Sequence, residues 1–461
     1  MEEGKNECTA EGRKNESNGK GRKIEWGGWY VLALLFVVAI LNYLDRTMIA
    51  TMRSSIVDSI SMTDAQFGLL TSVFSWVYGA FCPIAGYLAD RYKKTYLIIG
   101  SLFVWSLVTM LTGYVTTYEQ LFYARALMGI SEAFFIPAAL SILMDSHKNE
   151  GLAIGILFSG EMLGQSFGFL GGRIAENHSW NEAFFIFGIV GIAYAVFLIF
   201  TLKEKQIVAL REKKKAMLAE LNAANVSGLD TEKVKKEANI DEPKPSIGAT
   251  LKALFSKWSY FYLLLIYPLP TIVSWMAMGW LPTYYQETFN LSQSVAGEFA
   301  TVYLYPASIL GLLLGGFLSD KWQKSFPYAR IVVPIIGFGV AAPAVFMIGY
   351  IHVLWQAVAM FLMYGFARMF IDANLMPILR MVVDERYQAT GYGIINMLTV
   401  FIGGLSTYVA GALHDAHIPL ATIYQYASLG LVLCIGLLFL VMRSVRKSGI
   451  VKKRKSNLIH S

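Results

Sequence analysis

Five ionisable side chains sit inside runs of sequence that are otherwise apolar. Asp45 and Arg46 lie near the end of "WYVLALLFVVAILNYLDRTMIA", Arg125 and Glu132 lie in "ARALMGISEAFF", and Glu161 lies in "GILFSGEMLGQSFGFLGG". On insertion scales a charged group near the centre of a bilayer costs at least ~2.5–3.5 kcal/mol, so each is a functional candidate by default. Arg125 and Glu132 are seven residues apart, two helical turns, and share a face. At about 1.5 Å per residue, Asp45, Arg46 and Arg125 fall roughly 10 Å to one side of the midplane. Glu132 and Glu161 fall close to it. All five can meet in one polar cluster, joined by Tyr43 and Gln165 from the same two segments.

Their chemistry is complementary. Arginine keeps its charge, and its planar fork matches a carboxylate bidentately, so Arg46 and Arg125 suit the binding of an anion. A carboxylate removed from water is driven towards its protonated form, so Asp45, Glu132 and Glu161 are candidate proton carriers. An anion competing with these carboxylates for the arginines would make substrate and proton binding reinforce each other. The plainer alternative is structural. Asp45 and Arg46 point about 100° apart on a helix and are no self-contained pair; they can pair separately with Arg125 and Glu132 as fixed struts. Glu161 can simply face an aqueous cavity. In the second half, Arg368 and Asp372 of "YGFARMFIDANLMP" are four residues apart and can pair along one face as a structural or gating bridge. Asn396 and Tyr284, the latter in "WLPTYYQ", are candidate ligands for hydroxyl groups, although aromatic residues near helix ends also serve as interfacial anchors.

The elements that carry these residues are membrane helices. The chain has 461 residues, 55% hydrophobic and 15% charged, against about 25% charged in soluble domains. Apolar stretches of about 20 residues, each long enough to cross a bilayer, recur at 27–49, 65–89, 96–115, 119–143, 151–175, 183–202, 258–285, 293–318, 329–350, 353–376, 388–412 and 418–443. Strand-like alternation with frequent turns is missing, which argues against a barrel. The first run is too long for a signal-peptide core and no small-residue cleavage site follows it, so it is expected to remain a helix. Lysine and arginine cluster in "GKGRK", "DRYKK", the central loop, "DKWQKSFPYAR" and "VRKSGIVKKRK", whereas "VTTYEQ", "QETFNLSQSVAGE", "YIHV" and "HDAHIP" contain neither. The positive-inside rule then places both termini and the central loop in the cytoplasm. The net charge of +7 follows orientation and calls for no nucleic acid.

Domain organisation follows: a cytoplasmic tail at 1–26, a six-helix bundle at 27–203, a charged loop at 204–256, a second bundle at 257–443 and a basic tail at 444–461. Ile207, Leu210, Met217, Leu218 and Leu221 keep helical spacing within the loop, as an amphipathic surface helix would; a partly disordered tether is the alternative. The halves echo each other. "GYLADRYKK" (86–94) follows the second span, "GFLSDKWQK" (316–324) follows the eighth, and "GIINMLTVFIGG" in the eleventh span answers the glycine-rich fifth. Duplication with substrate handled between the halves is how many secondary transporters are built.

The chain resembles the major facilitator superfamily from about residue 27 to 443. The motif G-x-L-a-D-R-x-G-R-[RK] between the second and third helices is matched by Gly86, Leu88, Asp90 and Arg91, with Lys93 in place of its second glycine. The resemblance implies an all-α fold of twelve transmembrane helices in two six-helix bundles. It gives Asp90 and Arg91, with Asp320 and Lys321 of the echo, gating roles. "NYLDR", the R-x-x-x-G-x-x-E-A run at 125–133 with Pro137, and "WLPTY" resemble the anion:cation symporter branch, which takes up hexuronates, aldonates and similar acids with protons. There Arg46 would grip the substrate carboxylate, Asp45 and Glu132 would carry protons, and Arg125 would tune Glu132. "GLLTSVFSWVYGAFCPIAGYLADRY" and "ARALMGISEAFFIPAALSIL" also resemble the spinster branch, whose members move lysolipids and sphingoid lipids.

The expectation is a proton-coupled symporter of a small organic anion such as a sugar acid, working as a monomer in a bacterial inner membrane. A lysolipid carrier is the alternative, a passive uniporter stays open, and a non-transporting sensor is a minor one. The chain reads as no enzyme: H-E-x-x-H and a Walker lysine–serine pair are both missing. No cofactor or metal is expected, and Cys8, Cys82 and Cys434 read as reduced packing residues.

Overall fold

The computed structural model describes residues 3–147, 150–226, 247–384 and 387–448; the side chains of residues 3–26, Asp90, 217–226, Ile247, Ala389 and Ser448 lie outside that description. Among the described residues, twelve helices are long and apolar enough to cross a membrane. They are Gly27–Thr51, Asp64–Ala89, Lys94–Thr112, Tyr118–Ser146, Glu150–Asn177, Trp180–Thr201, Trp258–Phe289, Gln293–Gln323, Ala329–Tyr350, Leu354–Val382, Thr390–Asp415 and Leu420–Lys447, called spans 1 to 12 below. An even number of crossings leaves both chain ends on one face, the terminal face.

Proline and buried charge shape the spans near their middles. Span 4 is interrupted between Glu132 and Phe135, ahead of Pro137, and span 10 between Asp372 and Leu375, ahead of Pro377. A proline removes the hydrogen bond to the residue four back and crowds its carbonyl, which explains both positions. Each interruption directly follows a carboxylate, Glu132 in one bundle and Asp372 in the other. Spans 7 and 8 are interrupted likewise at Tyr267, ahead of Pro268 and Pro270, and at Tyr303, ahead of Pro306.

Within each bundle, small residues set the helix spacing. A Cβ on Gly164 of span 5 would run into the Ile40 carbonyl of span 1, and one on Gly129 of span 4 would lie 2.5 Å from the Phe74 carbonyl of span 2. Glycine therefore brings spans 1, 2, 4 and 5 together around one polar centre.

The linker begins as a helix, Glu204–Val226, that docks on the first bundle. Ile207 and Leu210 are buried in the core built by spans 1 to 6, as their spacing predicts. Glu204 accepts a hydrogen bond of 2.5 Å from Thr95, and Lys214 pairs with Glu150 at 2.6 Å. The side chains of Met217, Leu218 and Leu221, and residues 227–246 and 449–461, lie outside the described residues.

Between spans 2 and 3 the chain turns without glycine. Tyr92 and Lys93 are extended, with φ of −106° and −64°, so Lys93 is accommodated where the motif has its second glycine. Arg91 lies over the Tyr87 ring at 4.2 Å; the Asp90 side chain lies outside the described residues. In the echo of this motif, Asp320 pairs with Arg330 across the loop between spans 8 and 9, and Lys321 lies over the Phe317 ring at 5.9 Å.

Candidate functional site

A cavity of about 460 Å³ lies between the bundles, lined by residues of spans 1, 2, 4 and 5 on one wall and of spans 7, 8, 10 and 11 on the other. The polar wall of the first bundle grows from span 1. Arg46 donates from Nε to Glu132 Oε2 at 2.8 Å, and Asn42 donates to the same oxygen at 2.9 Å. The Arg46 guanidinium is packed by the rings of Tyr43, Phe74 and Tyr78, at 4.5, 5.0 and 4.5 Å from their centroids. Its Nη2 is buried and free of a protein partner.

Arg125 also reaches the cavity. It is buried, its Nε has no partner, and its one hydrogen bond among the described residues is a weak contact of 3.7 Å with the Met128 sulfur. Asp45 turns away from the cavity and accepts a hydrogen bond from Thr109 of span 3 at 3.2 Å. Glu132 lies behind Arg46 with no exposed surface. Of the two struts considered from sequence, Arg46–Glu132 is made; Asp45 and Arg125 share no ion pair. Glu161, 7% exposed, faces the cavity beside Tyr43 and Gln165.

The facing wall is aromatic and hydroxylic. Tyr267, Thr271, Ser274 and Trp275 of span 7, Tyr364 of span 10, and Tyr392 and Asn396 of span 11 line it. Ser274 and Tyr364 share a hydrogen bond of 2.7 Å. Arg368 and Asp372 form the expected pair at 3.1 Å, and both line the cavity, with Arg368 Nε unpartnered. Tyr284 is the exception among the expected ligands. It is buried among Tyr285, Phe289, Phe361 and Tyr424, away from the cavity, because its face of span 7 points into the second bundle.

The hydrogen bonds and ion pairs that join the bundles gather on the side away from the termini. Arg53, just past span 1, pairs with Asp64 at the start of span 2. Asp64 faces His414 Nδ1 of span 11 at 2.5 Å, and His414 Nε2 faces Glu287 of span 7 at 3.1 Å. Asp415 accepts hydrogen bonds of 2.8 Å from the backbone N–H groups of Asp64 and Ala65, placing a carboxylate of one bundle on a helix N-terminus of the other, where its charge is favoured. Deeper in, Ser72 donates to the Gly404 carbonyl at 2.6 Å and Trp76 to that of Phe401 at 3.1 Å. This network closes the opposite face.

The family model of the Major Facilitator Superfamily matches residues 35–407. The chain belongs to the major facilitator superfamily. A protein named as a probable L-galactonate transporter of Escherichia coli (strain K12) is 24% identical over 83% of this chain and 82% of its own length. A probable galactarate/D-glucarate transporter, GudP of Bacillus subtilis (strain 168), is 26% identical over 74% of this chain and 76% of its own. The spinster protein of Drosophila melanogaster is 24% identical over 68% of this chain and 49% of its own. Among solved structures, a bacterial homologue of the human lysosomal transporter spinster, inward-facing and unoccupied, superposes with a TM-score of 0.70 at 22% identity, covering 91% of this chain and 98% of that one.

Within this superfamily fold, sequence reasoning found the charged wall and missed the closure. Arg53, Asp64, Glu287 and His414 lie at helix ends, where charge is ordinary. The one available signal was that all four come from segments flanking the same face. The aromatic facing wall was missed because tyrosine and tryptophan in a membrane span carry no mark of which way they point.

Proposed function

We propose that the protein is a secondary active transporter that moves a small organic anion, of the sugar-acid class, together with protons by alternating access. The observation that carries the reading is that Arg46 Nη2 and Arg125 Nε are buried and unpartnered on guanidinium groups that line the cavity. A substrate carboxylate satisfies such donors bidentately. Arg46 is already paired with Glu132, so an anion arriving at Arg46 draws it from that carboxylate. Glu132 and Asp45, buried and shielded from the cavity, then take up protons because an unpaired buried carboxylate favours its neutral form. Gln165 and Asn396, with the hydroxyls of Tyr43, Thr271 and Ser274, supply partners for a polyol. Arg368 and Asp372 hold span 10 at its interruption. Asp90, Arg91, Asp320 and Lys321 serve closure of the terminal face in the other half of the cycle.

The reading extends to a bacterial cytoplasmic membrane, cytoplasmic termini and a working monomer, since one chain encloses the whole cavity. The relatives named for galactonate, galactarate and glucarate support an acid; the spinster relatives support a lysolipid. Thermal stabilisation of the purified protein by a panel of sugar acids, neutral sugars and lysophospholipids tests it, since a ligand of the native state stabilises by RT ln(1 + [L]/Kd). Stabilisation by an acid that Arg46→Ala abolishes is the expected result. Stabilisation by a lysolipid alone overturns the sugar-acid reading.

A further inference from the structure

The charges of the first bundle do not balance. Asp45, Glu132 and Glu161 are three buried carboxylates against two buried guanidinium groups, Arg46 and Arg125. In the second bundle Arg368 and Asp372 balance each other. Glu132 is held by Arg46 and Asn42, and Asp45 by Thr109. Glu161 is met by the Tyr43 hydroxyl, but it makes no ion pair among the described residues, and its Oε1 is buried without a hydrogen-bond partner. It is also the one of the three carboxylates that lines the cavity.

Leaving a carboxylate in this state is costly unless a cation or a proton meets it. The cavity therefore presents two unmet demands of opposite sign. Arg46 Nη2, Arg125 Nε and, on the far wall, Arg368 Nε lack an acceptor, and Glu161 Oε1 lacks a donor. The far wall adds the aromatic side chains of Tyr267, Trp275, Tyr364 and Tyr392, a ring type that attracts an ammonium group. Asp372 does not compete for the cation, because Arg368 already occupies it at 3.1 Å.

We propose that Glu161 receives a positively charged nitrogen of the substrate, so that the transported molecule is a zwitterion, bearing an ammonium group as well as the anion held by Arg46 and Arg125. The inference rests on the anion site proposed above and narrows it. Two sources supply this chemistry, an amino-bearing sugar acid and a lysophospholipid with an ammonium headgroup.

Matched probes separate them. Affinities of the purified full-length protein are measured at neutral pH for D-gluconate against 2-amino-2-deoxy-D-gluconate, and for lysophosphatidate against lysophosphatidylethanolamine. In one pair the amino member is expected to bind about tenfold more tightly than its partner; the pair that shows it names the source. Glu161→Gln, which keeps the shape and removes the charge, should bring that ratio close to one and leave the partner's affinity unchanged within about twofold. Glu161→Asp, which keeps the charge, should retain the preference. Equal affinities within both pairs overturn the inference, as does a preference that survives Glu161→Gln. Equal weakening of both members by Glu161→Gln overturns it too, and assigns Glu161 to proton exchange or packing. An acid that binds without amine preference leaves the anion site standing, whereas failure of all four probes to bind overturns both.

Discussion

Arg46 is fixed by a carboxylate on one side and three aromatic rings around it, and this decides what substitution does. Lysine retains the charge but loses the planar fork and the stacking. Arg46→Lys is therefore expected to weaken acid binding about tenfold or more, which titration of thermal shift would measure. Removing Glu132 leaves the guanidinium buried and unpaired, a change that costs about 3–5 kcal/mol in comparable pairs. Glu132→Ala should accordingly lower the melting temperature much more than Glu132→Gln, whose amide oxygen can still accept from Arg46. Tyr284→Phe is expected to leave ligand affinity unchanged. Its hydroxyl has no partner and its ring packs away from the cavity, so a loss of affinity would show that the site extends into the second bundle. At this scale Asp45, Arg46, Arg125, Glu132 and Glu161 were legible because charge in an apolar run is a local anomaly. Tyr284 misled because an aromatic residue near a helix end looks the same whether it faces a ligand or a core.

At the scale of elements, spans 2 and 11 form the principal seam of the closed face. A Cβ on Gly68 would lie 2.6 Å from the Thr407 carbonyl, backbone that cannot give way locally. Gly68→Ala should thus push the two spans apart and raise the labelling rate of a cysteine placed at Ser72, read with a membrane-impermeant thiol reagent. His414 gives the same seam a pH dependence. Both its ring nitrogens face carboxylates, those of Asp64 and Glu287, and both can donate only in the doubly protonated ring. Arg53 and Asp415 are the other charges at this seam. The bridge is present at low pH and lost as rising pH removes the proton, so the cysteine at Ser72 should label faster at alkaline pH. In His414→Gln that dependence should vanish. The proline interruptions of spans 4 and 10 could be anticipated from the residues. Their coincidence with Glu132 and Asp372 emerges only when the bundles are compared.

For the molecule as a whole, closure of one face with an accessible cavity is one state of a cycle. Ser54 and Gln286 share a hydrogen bond of 3.0 Å between the bundles. Oxidative cross-linking of cysteines at these two positions should abolish transport into vesicles, and a reductant should restore it. Ligand binding to the cross-linked protein should persist, since the cavity walls are untouched; transport that continued would show that this seam does not open. The sequence by itself determined the twelve spans, their grouping into two bundles and the set of charges worth attention. Length of an apolar run and the cost of a charge within it are properties of a short segment, readable without knowing its neighbours. Only the tertiary structure decided that Asp45 turns to span 3 while Arg46 and Glu161 face the cavity, and that Asp64, Glu287 and His414 meet at the closed face. Those outcomes depend on the rotation of each helix about its axis and on the approach of segments hundreds of residues apart, which close packing of all twelve helices sets together.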